Sequence, residues 1–112
     1  MVYAVDFDGT LCADAYPEIG APRHELIEFI KSRRADGDRI ILWTCRSGPA
    51  LEEAVRWCHG LGLSFDAVND NLAENVAFHN NNSRKVCADF YIDDRNIHMD
   101  FSGAGNFLRQ TG

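Results

Sequence analysis

Apolar residues along this chain gather in short solid runs, and the stretches between the runs carry helical spacing. Val2 to Phe7 reads as a buried strand. Arg39 to Thr44 reads as a second, and its centre, Ile40-Ile41-Leu42-Trp43, is apolar without alternation, as in a strand covered on both faces. Phe65 to Val68 predicts a short third strand, and Ala88 to Asp93 a fourth, built on Phe90-Tyr91-Ile92. Pro22 opens a helix to about Asp36, with Leu26, Ile27 and Ile30 as its apolar stripe and Gly37 as its stop. Ser47-Gly48-Pro49 starts another, with Pro49 in the first turn. Its Leu51, Ala54, Val55 and Cys58 follow the i, i+3, i+4, i+7 pattern, and Gly60 and Gly62 end it. Leu11 to Gly20, centred on Tyr16-Pro17-Glu18, predicts a loop. Asp70 to Arg84 is polar and asparagine-rich, with a weak helix near Leu72 to Phe78. Beyond Arg95 the pattern fades, and there are no repeats and no linker.

The order β-α-β-α-β-(α)-β predicts an α/β fold: a doubly wound parallel sheet with right-handed crossovers, in three α/β/α layers. Such sheets bind ligands beyond the carboxyl ends of their strands. Those ends here carry Asp6 and Asp8, then Thr44, then Asp93 and Asp94. Three strands thus deliver polar or acidic groups to one edge.

Length and composition narrow the reading. The 112 residues predict one domain, spanning 1–112, with 46% apolar and 25% charged residues, enough for one core. The net charge of −6 argues against a nucleic-acid backbone as partner and suits a chain that gathers carboxylates around a cation. No apolar run approaches membrane-spanning length and no basic-then-apolar leader opens the chain, so a cytoplasmic protein without a membrane partner is expected. Cys12, Cys45, Cys58 and Cys87 form no C-x-x-C pair, which argues against zinc, and are expected as free thiols. Cys12 and Cys45 both flank candidate functional residues and are read as reduced packing residues.

The strongest chemical signal is Asp6-Phe7-Asp8-Gly9-Thr10. Side chains two apart on a strand share a side, so an extended Asp8 aims at the same point as Asp6. At average composition, Asp-x-Asp-Gly-Thr arises by chance in roughly one chain of this size in a thousand. Two such carboxylates make a cation site, a nucleophile site, or both.

These residues resemble the haloacid dehalogenase superfamily of phosphotransferases over roughly Val2 to Asn96. Asp6-Phe7-Asp8-Gly9-Thr10-Leu11 is similar to its first motif, Thr44 after an apolar strand to its second, Lys85 to its third, and Asp93-Asp94 to its fourth. The resemblance implies a phosphomonoester hydrolase with Asp6 as nucleophile, forming an aspartyl-phosphate. Asp8 would protonate the leaving oxygen, then activate the attacking water, and offer its backbone carbonyl to the metal. Four carboxylates facing a phosphate dianion need a divalent cation, and Mg²⁺ suits an all-oxygen site. Its ligands would come from Asp6, Asp8, Asp93 and Asp94, with Asp94 either on the ion or behind it. Thr44 and Lys85 would hold the phosphoryl oxygens. Taken alone, Thr44 also reads as a strand cap, and Lys85 as a solvated lysine beside Arg84. Arg46, two residues past Thr44, is open between reaching the substrate and lying on the surface. His24, His59, His79 and His98 show no ligand spacing, and Trp43 and Trp57 read as core residues.

The intervals from Asp8 to Thr44 and from Thr44 to Lys85 are filled by the predicted elements, which leaves no cap domain. The C-terminus departs from the family's pattern: His98 to Gly112 is short and glycine-containing, with no assignable final strand and helix. An open site leaves selectivity to loops, to a second copy of the chain or to a large substrate. Among a sugar phosphate, a nucleotide and the phosphorylated end of a larger molecule, the negative net charge favours the small phosphorylated substrates. Two other readings use the same residues: a receiver-like phosphoacceptor domain, and a catalytically silent binding module. A receiver places its acidic pair after the first strand and its phosphorylated aspartate after the third, an order this chain does not follow.

Overall fold

The computed structural model describes residues 1–99 and 108–110, with residues 98, 99 and 108–110 described by backbone alone. Four parallel strands form the central sheet: β1 (Val2–Val5), β4 (Arg39–Leu42), β5 (Ala67–Val68) and β6 (Phe90–Ile92), in the order β5-β4-β1-β6. Two further strands, β2 (Cys12–Ala15) and β3 (Glu18–Pro22), lie between β1 and helix α1 (His24–Ala35). Helix α2 (Gly48–Gly60) joins β4 to β5, and α3 (Ala73–His79) precedes β6. Strand order reverses at the β1–β6 pair, and the expected α/β architecture with a parallel sheet at its core is present.

The pleat explains the layers. Val5, Ile40 and Leu42 are fully buried in one cluster with Ile27 and Ile30 of α1 and Ala54 and Cys58 of α2. Ala4 and Ile41, out of phase with them, are buried on the opposite face against Leu72 and Val86. A strand covered on both faces needs no alternation, which is why Ile40-Ile41-Leu42 reads as a solid run. The second face is covered differently from the first. Helix α3 buries none of its own residues; Leu72 before it and Val86 after it do the covering.

A hydrogen-bond hub holds that thin layer. Buried Asn71 donates through Nδ2 to Asn82 Oδ1 and to the Ser83 carbonyl, both at 3.0 Å, and its Oδ1 accepts from the Cys87 backbone N–H at 2.6 Å. The asparagine-rich stretch is therefore a pinned crossover, in which amide side chains replace the ladder that a longer helix would supply.

Two expectations change. The predicted loop from Leu11 to Gly20 is an antiparallel hairpin, β2 with β3, turning through a cis Tyr16–Pro17 bond. Its residues, Cys-Ala-Asp-Ala and Glu-Ile-Gly-Ala-Pro, carry little strand propensity, and the register shifts between Cys12 and Asp14. Gly20 allows the pairing, since a Cβ there would run into the Ala13 backbone. Beyond Arg95, where the pattern fades, β7 (Ile97–Met99) pairs antiparallel with β8 (Leu108–Gln110). The rest of the tail read from His98 to Gly112, and the His98 side chain, lie outside the described residues. Among the described residues no helix is long and apolar enough to cross a membrane.

Asn71→Ala removes three hydrogen bonds from the crossover. We expect a loss of about 1–3 kcal/mol, the usual cost of leaving buried polar groups unpaired. The melting temperature should fall by roughly 4–8 °C for each kcal/mol, read by scanning calorimetry. An unchanged melt would show that the crossover does not depend on this hub.

Candidate active site

The carboxyl edge of the sheet opens into a cavity of about 740 Å³ lined by Asp6, Asp8, Thr44, Asp93 and Asp94, together with Asp14, Tyr16, Trp43, Cys45, Arg46 and Arg95. Strand alternation persists past β1. Phe7 is fully buried, edge-on to the Trp57 ring with centroids 5.5 Å apart, so Asp6 and Asp8 on either side of it reach the cavity. The Asp6 backbone N–H donates to the Ile92 carbonyl at 2.9 Å, which sets the start of the Asp93-Asp94 loop beside it. Gly9 follows at a φ of +82°, in a turn closed by Thr10 and Leu11 N–H groups donating to the Phe7 carbonyl. A Cβ on Gly9 would collide with the Asp94 carboxylate, so the glycine is what lets Asp94 settle against the β1 loop.

Charge is unbalanced here. Burial pushes the Asp6 carboxyl above the usual carboxylate range, and the Asp94 and Asp93 charges push it further; the Phe7 backbone N–H opposes them. Asp93 is held by the Arg95 backbone N–H at 2.9 Å and the Asn96 amide at 2.6 Å.

Arg46 lies neither on the surface nor free for a ligand. It is 2% exposed, and its Nε and an Nη donate to the two Asp8 carboxylate oxygens, each at 2.8 Å. That hydrogen bonding raises the Arg46 pKa further. Thr44 lines the cavity and also makes a local turn: its Oγ1 accepts from the Arg46 backbone N–H at 3.1 Å, while its own proton can be donated into the cavity. Asn69, at a φ of +52° after β5, secures this loop. Its Oδ1 accepts from the Thr44 N–H at 2.7 Å and its Nδ2 donates to the Arg46 carbonyl at 3.3 Å. Asn69 was readable only as an asparagine closing a short strand, a residue type that tolerates the left-handed conformation.

Lys85 is not brought to this cavity. Its ammonium lies over the Tyr91 ring, 5.3 Å from the centroid. The cations that line the cavity are Arg46 and Arg95. Trp57 is a core residue as expected, whereas Trp43 both packs on the second apolar cluster and lines the cavity.

The donor set suits a small hard cation. Asp6, Asp93 and Asp94 offer only oxygen, and the charges of Asp93 and Asp94 bear on Asp6. Among the described residues no three acidic, histidine or cysteine side chains stand close enough to ring an ion. Mg²⁺ commonly takes one or two carboxylates and keeps several waters, so it does not require three such side chains. The Arg46 pairing leaves Asp8 its backbone carbonyl to offer. All four cysteines are free, Cys12 and Cys58 buried, and burial pushes the Cys58 thiol up to about 12, so neither is a reactive thiol at neutral pH.

The raised Asp6 pKa has a stability consequence. A carboxyl whose folded pKa exceeds its unfolded one favours the fold when protonated, and that contribution is lost as pH rises through the folded pKa. In chelator at neutral pH, Asp6→Asn should therefore melt above wild type, and the gap should close at acidic pH as wild-type Asp6 takes its proton. A mutant that melts below wild type at neutral pH would contradict this.

No family profile matches the sequence, and no curated protein matches it significantly. A solved structure does match: a conserved protein from Bacteroides thetaiotaomicron, at a TM-score of 0.77 and 44% sequence identity, over 86% of this chain and 77% of that one. At that identity and coverage, the chain belongs to the family of this conserved Bacteroides protein.

Proposed function

We propose that this chain is a Mg²⁺-dependent phosphomonoester hydrolase of the haloacid dehalogenase type, acting through an aspartyl-phosphate on Asp6. The observation that carries the reading is the meeting of Asp6, Asp93, Asp94 and Thr44 in one cavity, from the carboxyl ends of β1, β6 and β4. The reversal of strand order falls between β1 and β6, where open α/β sheets bind ligands. The order β5-β4-β1-β6 also separates this sheet from a receiver, in which the third parallel strand pairs with the first.

In this reading Asp6 Oδ attacks phosphorus and the bond to the leaving oxygen breaks. Asp8, protonated when substrate binds, gives that oxygen its proton, then regains one from the water that cleaves the aspartyl-phosphate. The Thr44 hydroxyl donates to a phosphoryl oxygen. Arg95, which lines the cavity, is better placed for that task than Lys85, which would have to leave the Tyr91 ring. Asp6 and Asp93 would hold Mg²⁺ with the Asp8 carbonyl, and Asp94 would stand behind them. The ion would neutralise the carboxylates and polarise the phosphoryl group.

The substrate is a small phosphate ester, a sugar phosphate or a nucleotide, and the free cysteines fit a reducing, cytoplasmic setting. With the hairpin in place of a cap, we also propose a homo-oligomer that sets the Tyr16 turn of one copy near the site of another. A strict monomer in sedimentation, active on small sugar phosphates, removes that part.

A catalytically silent binding module is the second reading, favoured by the Arg46 grip on Asp8 and by the position of Lys85. One assay separates the two. Hydrolysis of an aryl phosphate should vanish in EDTA and return with Mg²⁺. Asp6→Asn should abolish turnover, and Asp8→Asn should lower it about 10²–10⁴-fold on esters with poor leaving groups. Absence of turnover across a panel of phosphate esters, with Mg²⁺ binding retained, would favour the silent module.

A further inference from the structure

Arg46 makes more contacts than an ion pair requires. The Nη that donates to Asp8 Oδ1 also donates to the Glu18 carbonyl of β3 at 3.0 Å. The other Nη donates to the Ala50 carbonyl in the first turn of α2 at 3.3 Å. The guanidinium carbon stands 5.0 Å from the Phe7 ring centroid and 5.1 Å from that of Tyr16. One buried side chain thus touches the β1 loop, α2 and the β2–β3 hairpin, including the hairpin's exposed tip residue. Tyr16 itself lines the cavity and is 61% exposed, so a ligand packing on its ring bears on Arg46.

We propose that Arg46 is a positioning residue that fixes the Asp8 carboxylate for proton transfer and ties it to the β2–β3 hairpin. A guanidinium gripping both oxygens fixes the carboxylate plane, which a single hydrogen bond does not. A carboxylate has about four lone-pair sites, and Arg46 occupies one on each oxygen, so one remains on each to exchange a proton. The fork is specific to arginine: a lysine keeps the charge and loses the plane. The catalytic half of the proposal rests on the phosphatase reading; the mechanical half does not.

The test therefore has two arms, run on the full chain with Arg46→Lys, Arg46→Gln and Asp8→Asn. The first measures kcat/KM for para-nitrophenyl, phenyl and methyl phosphate with Mg²⁺. This quantity reports the steps through departure of the leaving group, where a good leaving group needs no proton. If Arg46 aims Asp8, Arg46→Gln loses on the order of 10²-fold on methyl phosphate and less than about tenfold on the para-nitrophenyl ester. Arg46→Lys should share that selective loss, because charge alone does not restore the plane. An equal loss on all three esters, or full rescue by lysine, overturns the positioning role. The second arm measures hydrogen exchange of the hairpin amides and needs no activity. Arg46→Gln and Asp8→Asn should each speed it by about tenfold, and the double variant by no more than either alone, since they break one link. Unchanged hairpin exchange in folded Arg46→Gln overturns the tie, as do additive effects. If wild type hydrolyses none of the esters, the phosphatase reading and the proton-transfer role fall with it, while the second arm still decides the tie.

Discussion

The edge of the sheet where β1 and β6 end holds more negative charge than its own cations balance. Asp6 is half-buried beside Asp93 and Asp94, and its pKa is raised by burial and by both neighbours. Arg46, the buried cation, has its fork closed on Asp8. Under the proposed function a bound cation supplies the missing charge, and the stability given up without it is what the site exchanges for binding. Gly9 keeps Asp94 close, the Ile92 carbonyl fixes Asp6, and Asn69 fixes the loop carrying Thr44 and Arg46. These contacts hold together groups that repel one another.

The hairpin gives this small domain something to place over its site. It brings Asp14 and Tyr16 to the cavity, and Arg46 joins it to Asp8. Arg46 reaches three parts of the fold, the β1 loop, the hairpin and α2, because it sits where the β4 loop passes between the hairpin and α2. An element this short has little core of its own and opens easily, so its position depends on that contact.

The parallel sheet was legible because its central strands β1 and β4 are buried on both faces and α2 carries a clean apolar stripe, while β6, with Phe90 and Tyr91 exposed, showed as an apolar run alone. The acidic edge was legible because strand alternation fixes where Asp6 and Asp8 point, with Phe7 as the buried residue between them. The hairpin was not, because its residues have weak strand propensity and its pairing depends on a close approach at Gly20. The burial of Arg46 was not, because an arginine after a strand reads as solvated unless its partner is known, and Asp8 lies 38 positions away in sequence. The position of Lys85 over the Tyr91 ring was not legible either, because spacing sets only the distance along the chain. The second apolar layer was legible only as a weak helix, since Leu72 and Val86 flank α3 and leave no stripe on it.

In the proposed reaction Asp6 is the nucleophile at phosphorus. Incubating the protein with a phosphate ester and Mg²⁺, quenching in acid and reducing with borohydride converts any aspartyl-phosphate to homoserine, which peptide mass spectrometry locates. The account predicts homoserine at position 6 and at no other aspartate, Asp8, Asp93 and Asp94 included. Ester hydrolysis with Asp6 unmodified, or reduction at another aspartate, would contradict it.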